Sequence, residues 1–515
     1  MSSSTPIMTT YGRVQGTTHN GVSVWRGIPF AKPPIGPLRF RAPQSPDPWT
    51  TVRDATKFGP KAMQPKSMLG SVAFSSEPIS SQPASEDCLT LNVYSPPADG
   101  NKRPVMVWIH GGGYYAGSSA LYDPSRLAAN GDIVAVTFNY RLGPFGFLYL
   151  KDIAGDSGAF DSNLATRDQI AALRWVRDNI ATFGGDPQQV TIFGESAGGT
   201  SITNLLASPA ARGLFQQAIA ESPIPASVVD NSTATAMATA FLKHLGMAKK
   251  DAVQIATMPA EKLIAVVDAY MQECLNTWTG VMAFSPIYGD DILPEPPIQA
   301  LAAGAAKGVP LLIGTNHDES TLFQSAGSAF PRTPPLIRKM LTRMYPDAMD
   351  HILAAYPGFP AKSAQLAISR DTLFRIPSIC AAEAQAQHAP VWMYRFDWAS
   401  AALRLRGFNA THGIEIPFIL DQLDSRTARL FTSLSWKPTV HALSRRMQAC
   451  WLSFARDGDP GQGWSPYDPA KGRQTMIFNS TDHVEQDPDG AQRQAWDGVL
   501  VHPPANSPVE TSDSL

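Results

Sequence analysis

Cysteine is scarce in this chain: four in 515 residues, Cys88, Cys274, Cys380 and Cys450, all far apart. No C-x-x-C pair occurs and no metal-ligand spacing appears, so a disulfide scaffold and a zinc module are both excluded. Free thiols in a reducing compartment are the expectation. Long apolar runs are missing too. No stretch reaches the ~18 residues a membrane-spanning helix needs. The first residues, Met1-Ser2-Ser3-Ser4-Thr5-Pro6, carry neither a basic stretch nor an apolar one, so no secretory signal is expected. Charge is modest at 17%, with a formal net charge of −2 and no dominant basic run. Binding to nucleic acid or to an anionic membrane finds no support at this level. Repeats and a clear linker are also absent.

What is present fits one large folded domain. Hydrophobic residues make up 43% of the chain, as in ordinary globular proteins. The 44 prolines are dispersed, which suggests many ordered loops. Gly12 to Gly16 and Val22 to Gly27 suggest an antiparallel hairpin at a sheet edge. Residues 65–86 are rich in Ser and Pro and suggest a long surface loop near the mouth of a site. From residue 104 the text changes. Val105 to Ile109 and Ile133 to Phe138 are continuous apolar runs, as strands covered on both faces require. Residues 166–183 carry Ile170, Leu173, Val176, Ile180 and Phe183 at helical spacing, and Gly184-Gly185 ends that helix. Further strands are expected at 190–193, 218–220, 310–313, 391–396 and 475–478, with helices near 235–247 and 378–388 between them. This alternation predicts an α/β fold with a large, mostly parallel central sheet flanked by helices. The expected division is a single domain over 1–502 and a flexible tail over 503–515.

One stretch organises the rest: Val190-Thr191-Ile192-Phe193-Gly194-Glu195-Ser196-Ala197-Gly198-Gly199. A strand runs into Gly-x-Ser-x-Gly and then into helix-forming text, the context of a nucleophile elbow. The following helix points its free N–H groups at any developing oxyanion. A serine hydroxyl is a poor nucleophile at neutral pH and needs a base, an acid that orients the base, and oxyanion donors. His110-Gly111-Gly112-Gly113-Tyr114 follows the strand at 105–109 and suits a donor loop. Gly112, Gly113 and Ala197 are the candidate N–H donors. The loop after the strand at 310–313 offers two acids, Asp318 and Glu319, and spacing does not choose between them. Six histidines lie beyond residue 319. Of these, His412 alone sits beside a glycine on a loop leaving an apolar strand, which makes it the candidate base. Tyr114, Tyr115, Phe145, Phe323 and Phe408 are candidates for a pocket lining, although core packing suits each of them as well.

These motifs together resemble the type-B carboxylesterase/lipase family, the α/β-hydrolases that include bacterial para-nitrobenzyl esterases, animal carboxylesterases and cholinesterases. The resemblance rests on Arg26 to Ala31, Glu86 to Val93, His110 to Tyr114, Asn139 to Gly143, Asp168 to Val176, Phe183 to Pro187 and Gly194 to Gly199, in that order. It implies a Ser–Glu–His set. Asp318-Glu319-Ser320 matches an Asp-Glu-Gly pattern whose acid is the glutamate, hence Glu319, with Ser320 in place of the usual glycine. His412-Gly413-Ile414-Glu415 matches the pattern that carries the base. Glu195 and Ser222 match positions around this set, and Pro223 replaces a usual glycine.

The implied activity is hydrolysis of carboxylic esters, short- to medium-chain or aryl, through an acyl-enzyme on Ser196, without metal or organic cofactor. The same residues would serve an amidase or a carbamate hydrolase. The family also holds neuroligin-like binding proteins that lack the serine, which is present here. Secreted members pair the cysteine of the Glu-Asp-Cys motif with an upstream cysteine. Ala62 stands there in this chain, which agrees with a cytoplasmic, bacterial-type member. No tryptophan lies between Trp49 and Trp108, so a choline specialist is not expected. The expected partner is a small-molecule ester, with no nucleic acid and no membrane span. A monomer is the default.

Overall fold

The structure, a computed structural model, describes all residues except 1, 4, 20, 67–81, 156–157, 325–329, 462 and 500–515. Most of the Ser/Pro-rich loop expected over 65–86, and the tail expected over 503–515, therefore lie outside the described residues.

The main strands are β1 (Val22–Pro29), β2 (Thr90–Ser95), β3 (Arg103–Ile109), β4 (Val134–Phe138), β5 (Gly185–Glu195), β6 (Gln217–Glu221), β7 (Leu311–Asn316), β8 (Val391–Phe396), β9 (Gln474–Phe478) and β10 (His483–Gln486). With Ser2–Ser3 and Thr17–His19 at one edge they form a 12-stranded sheet. Its order is β1-β2-β4-β3-β5-β6-β7-β8-β9-β10 inward from that edge. The stretch from β4 to β9 is parallel throughout, and both edges are antiparallel. The principal helices are α1 (Leu164–Asn179), α2 (Ala197–Ala207), α3 (Ile376–Ala386) and α4 (Lys437–Asp457).

Why the sheet takes this form is visible in β3. Val105, Val107 and Ile109 belong to the hydrophobic core on one face of the sheet, and Met106 and Trp108 to the core on the other. Side chains alternate across a strand, so a strand covered by helices on both faces must be apolar throughout. α1 ends as the sequence predicts: a short 3-10 turn, Ile180–Phe183, closes on Gly184 in the left-handed region (φ 86°).

The N-terminal region departs from expectation. Arg13–Gln15 does not pair with β1; it joins a separate three-stranded sheet with Ile7–Met8 and Arg53–Asp54. The hairpin partner of β1 is Thr17–His19, with His19 opposite Val22. That register leaves only Asn20-Gly21 as the connection, and Asn-Gly is the dipeptide that best supports a two-residue hairpin turn. Strand β10, polar and at the edge, carries no apolar signal and was not expected.

Because the central strands are parallel, their C-terminal ends lie along one edge, where ligands bind in open α/β sheets. β3 ends at Ile109, β5 at Glu195, β6 at Glu221, β7 at Asn316 and β8 at Phe396. The motifs singled out in the sequence follow these ends.

Candidate active site

Ser196 sits between β5 and α2 with φ 59° and ψ −122°, a conformation costly for a residue with a Cβ. The surroundings enforce it. Its N–H donates to the Glu221 carbonyl on β6 at 2.9 Å, and its carbonyl accepts the Thr200 N–H at 2.8 Å inside α2. Gly198 must be glycine, because a Cβ there would lie 2.0 Å from the Ile109 carbonyl oxygen at the end of β3. The turn thus presses the start of α2 against β3 and holds Ser196 at a tip, half-buried.

The loop after β3 meets this tip. Gly112 has φ 109° and Gly113 φ 60°. A Cβ on Gly112 would lie 2.1 Å from the Ala116 carbonyl oxygen, so only glycine fits the tight turn. Among the described residues neither N–H donates to a protein acceptor. Ala197 opens α2, where the first N–H groups have no partner within the helix. Gln64 clamps the loop from behind, donating to the Gly117 carbonyl at 2.9 Å and accepting the Gly117 N–H at 3.1 Å. The buried His110 ring stacks on Tyr140 at 4.4 Å, and burial pushes its pKa down to about 4, so it is neutral.

The loop after β7 brings Glu319 to His412. Glu319 is fully buried. Its Oε1 accepts the Asn316 N–H at 2.7 Å, and its Oε2 lies 2.5 Å from His412 Nδ1. Asp318, the other acid the spacing allowed, turns away: its Oδ2 lies 2.9 Å from His317 Nδ1 and accepts the Ala410 N–H at 3.3 Å. The geometry therefore sets Glu319, not Asp318, against the histidine. The His412 ring packs against Phe323 and Phe374, with centroids at 5.2 and 5.0 Å.

His412 Nε2 lies 3.1 Å from Glu195 Oε1, yet that oxygen has no aligned hydrogen-bond partner. Ser196 Oγ forms no hydrogen bond with His412 or any other described residue. The bond a working base needs is thus not closed in this conformation, as is common before substrate binds.

Ser222 has φ 46°, and its Oγ donates to Glu415 Oε1 at 3.3 Å. Glu415 Oε2 accepts from Asn316 Nδ2 at 2.6 Å. Glu221 is fully buried, with one oxygen accepting the Trp451 indole N–H at 2.7 Å and the other unpartnered. Three carboxyl groups, of Glu195, Glu319 and Glu415, thus act on one imidazole, and Glu221 interacts in turn with Glu415 and Glu195. Burial raises Glu195, Glu221 and Glu415 above the ordinary carboxyl range, and their mutual repulsion adds to it. Burial alone would lower His412, but the carboxylates of Glu195 and Glu319 override it and raise its pKa.

Sequence reasoning gave Glu195 and Ser222 a place near the set but no role to Glu415, Asn316 or Glu221. Their signal was proximity: Glu415 stands three after His412, Asn316 three before Glu319, and Glu221 directly before Ser222. Phe374 had no such signal. It reaches His412 because a π-helical turn, Asp371–Arg375, precedes α3 and re-aims the side chains there.

Ser196 and His412 face a cavity of about 550 Å³. Gly112, Gly113 and Glu195 also line it, as do Tyr115, Met271, Met282, Phe323, Phe330, Leu373 and Phe408. Tyr115, Phe323 and Phe408 are thus lining residues. Tyr114 and Phe145 are core residues instead, packed on Phe147 and Phe40. Among the described residues no group of three or more His, Cys, Asp or Glu side chains is arranged to hold a metal ion, and no helix is long and apolar enough to cross a membrane.

A strained serine, a glycine loop and a carboxyl-backed histidine on one apolar cavity can perform acyl transfer. The chain matches the Carboxylesterase family over residues 3–496. It is 42% identical over 495 residues to the para-nitrobenzyl esterase of Bacillus subtilis, covering 95% of this chain and 97% of that one. It is 35% identical over 474 residues to the phenmedipham hydrolase of Pseudarthrobacter oxydans, covering 90% and 92%. A solved thermophilic para-nitrobenzyl esterase superposes with a TM-score of 0.86 at 39% identity, over 95% of this chain and 99% of that one. A Geobacillus stearothermophilus carboxylesterase superposes with a TM-score of 0.81 at 38% identity, over 96% and 100%. The chain belongs to the carboxylesterase family of α/β-hydrolases and is a carboxylic ester hydrolase.

Proposed function

We propose that ester cleavage runs through an acyl-enzyme on Ser196, with His412 as base, Glu319 as the acid that orients it, and Gly112, Gly113 and Ala197 as oxyanion donors. The observation that carries this reading is the 2.5 Å contact of Glu319 Oε2 with His412 Nδ1 beside the strained Ser196 on one cavity. Glu319 stays ionised and accepts a hydrogen bond from the Nδ1 N–H, which fixes the tautomer that leaves Nε2 free to take a proton. Ser196 Oγ attacks the ester carbonyl as Nε2 takes its hydrogen. The carbonyl oxygen gains negative charge where the glycine loop and the start of α2 present N–H groups. His412 then protonates the departing alkoxide. Water repeats the sequence, releases the acid and restores Ser196.

A base must be neutral before it acts. Glu195 Oε1 faces His412 Nε2 at 3.1 Å, and its charge is one of those that raise the His412 pKa. Burial favours the neutral carboxyl at Glu195, which withdraws that push and favours the neutral imidazole. Glu195 is a positioning residue in this scheme, and Ser222 holds Glu415 behind it.

The substrates are carboxylic esters. Phe323, Phe330 and Leu373 favour an aryl or short- to medium-chain group, and the para-nitrobenzyl group named for the Bacillus subtilis relative is aryl. The setting is cytoplasmic, in keeping with four free cysteines, of which Cys88 is buried. One hydrolase domain spans 1–502. Pre-steady-state hydrolysis of a para-nitrophenyl ester tests the acyl-enzyme. A burst of one nitrophenolate per chain, absent in Ser196→Ala, is expected; a full burst in that variant would refute the role of Ser196.

A further inference from the structure

Nine large apolar side chains are conspicuously exposed among the described residues, and four fall within one short span: Leu405, Leu430, Leu434 and Trp436. Three of these, at 80%, 74% and 75%, are the most exposed of the nine. The fold brings two of their elements into contact, and the third follows directly in the chain. The short helix Ala401–Leu405 packs against the short helix Arg426–Phe431, and residues 432–436 lead directly into α4. Cations accompany them. Arg404, Arg406, Arg426 and Lys437 are exposed and form no ion pair among the described residues. The acids of this face are committed elsewhere. Asp424 pairs with Arg126 at 2.8 Å and stands 4.0 Å from Arg429, and Asp421 Oδ2 accepts from Asn130 at 3.4 Å. The overall charge of −2 conceals this face.

We propose that this face docks onto an anionic lipid surface. Exposed Leu and Trp ringed by Arg and Lys is the composition of elements that lie in the membrane interface: the apolar chains enter the headgroup layer and the cations meet lipid phosphates. A second copy of the chain fits less well, because a two-fold contact would set the same unpaired cations against themselves. The face also reaches the cavity rim. Arg406, exposed, and Phe408, half-buried, both line the cavity that holds Ser196. A docked chain would therefore open its cavity toward apolar esters dissolved in the lipid. That consequence rests on the site proposed above; the docking itself does not.

The test is flotation of the full chain and of its Ser196→Ala variant with two kinds of vesicle at low salt. One is pure phosphatidylcholine, and the other is equal parts phosphatidylcholine and phosphatidylglycerol. Both proteins should bind the anionic vesicles on the order of tenfold more tightly or better. Leu405→Ser with Leu434→Ser and Trp436→Ser should weaken binding to both kinds. Arg404→Gln with Arg426→Gln and Lys437→Gln should remove the anionic preference. Both triple variants should hydrolyse a soluble short-chain ester at the parent rate. Absent or equal binding to the two vesicles, or binding indifferent to both triple variants, would overturn the proposal. So would a concentration-dependent dimer that the apolar variant dissolves, which would assign the face to a second copy. Vesicle binding without ester hydrolysis would leave the docking standing and count against the site alone.

Discussion

Arg141–Asp168 and His412–Glu319 are both buried ion pairs, with side chains no more than 7% exposed. Arg141 meets Asp168 with two parallel donors at 2.8 and 2.7 Å, its own N–H adds a third at 3.1 Å, and its remaining Nη1 donates to the Arg41 carbonyl at 2.8 Å. No oxygen or nitrogen in that pair is left over, and nothing there can move a proton. It ties α1 to the loop after β4. Around His412 the balance is deliberately uneven. One imidazole faces Glu319 and Glu195 and feels the charge of Glu415, and among the described residues Glu195 Oε1 and Glu221 Oε2 lack hydrogen-bond partners. The contrast separates two uses of buried charge: matched charge holds the fold, and surplus carboxylate sets where a proton sits.

The comparison can be broken from either side. Glu319→Gln should lower kcat/KM by roughly 10³–10⁴-fold, because the amide no longer fixes the imidazole tautomer or supports its positive form. Its melting temperature should stay close to that of the parent. A loss below tenfold in steady-state assays would contradict the role given to Glu319. Asp168→Ala should do the reverse. Leaving Arg141 buried and unpaired should cost about 3–5 kcal/mol of stability, read from denaturant unfolding, while the fraction still folded keeps its turnover number. Equal stability with lost turnover would move Asp168 into the chemistry.

Gly112→Ala sharpens the donor half of the site. The new Cβ would lie 2.1 Å from the Ala116 carbonyl oxygen at a φ of 109°, so the loop must shift and its N–H with it. A fall of about 10²-fold in kcat with little change in KM is expected. A purely raised KM would mark the loop as a substrate wall. Glu195→Gln should have the smallest effect, and it is one of position on the pH axis. Burial lowers the His412 pKa, and the carboxylates of Glu195 and Glu319 more than reverse that. Activity needs neutral imidazole, so it is present above that pKa and lost as pH falls through it. An amide at Glu195 carries no charge and removes one upward push, so the acid limb of kcat/KM should move to lower pH. A limb that stays or moves up would contradict the influence given to Glu195 over His412.

Much of this was legible in the sequence because it is local. The elbow, the glycine loop and the apolar strands are contiguous text whose spacing maps directly onto geometry. Other features depend on what approaches from elsewhere in the chain. Spacing left Asp318 and Glu319 open; the resemblance implied Glu319, and in the fold it is the Glu319 carboxyl that meets His412. Arg13–Gln15 reads as a hairpin partner for β1, but the register belongs to Thr17–His19. Phe374 reaches His412 through a π-helical turn that no residue pattern announces. The cationic apolar face draws on residues 404–406 and 426–437, on either side of the buried His412 loop, and the contact between the two short helices that carry them shows only in the fold.

The central claim is that Ser196 is activated by His412 and oriented by Glu319, and active-site labelling addresses it most directly. The parent chain, Ser196→Ala and Glu319→Gln would each be treated with a fluorophosphonate, and the adduct followed by intact mass and mapped by peptide sequencing. The account predicts one adduct per chain on Ser196, none on Ser196→Ala, and labelling of Glu319→Gln slowed by orders of magnitude. An adduct on another residue, or Glu319→Gln labelled at the parent rate, would contradict it.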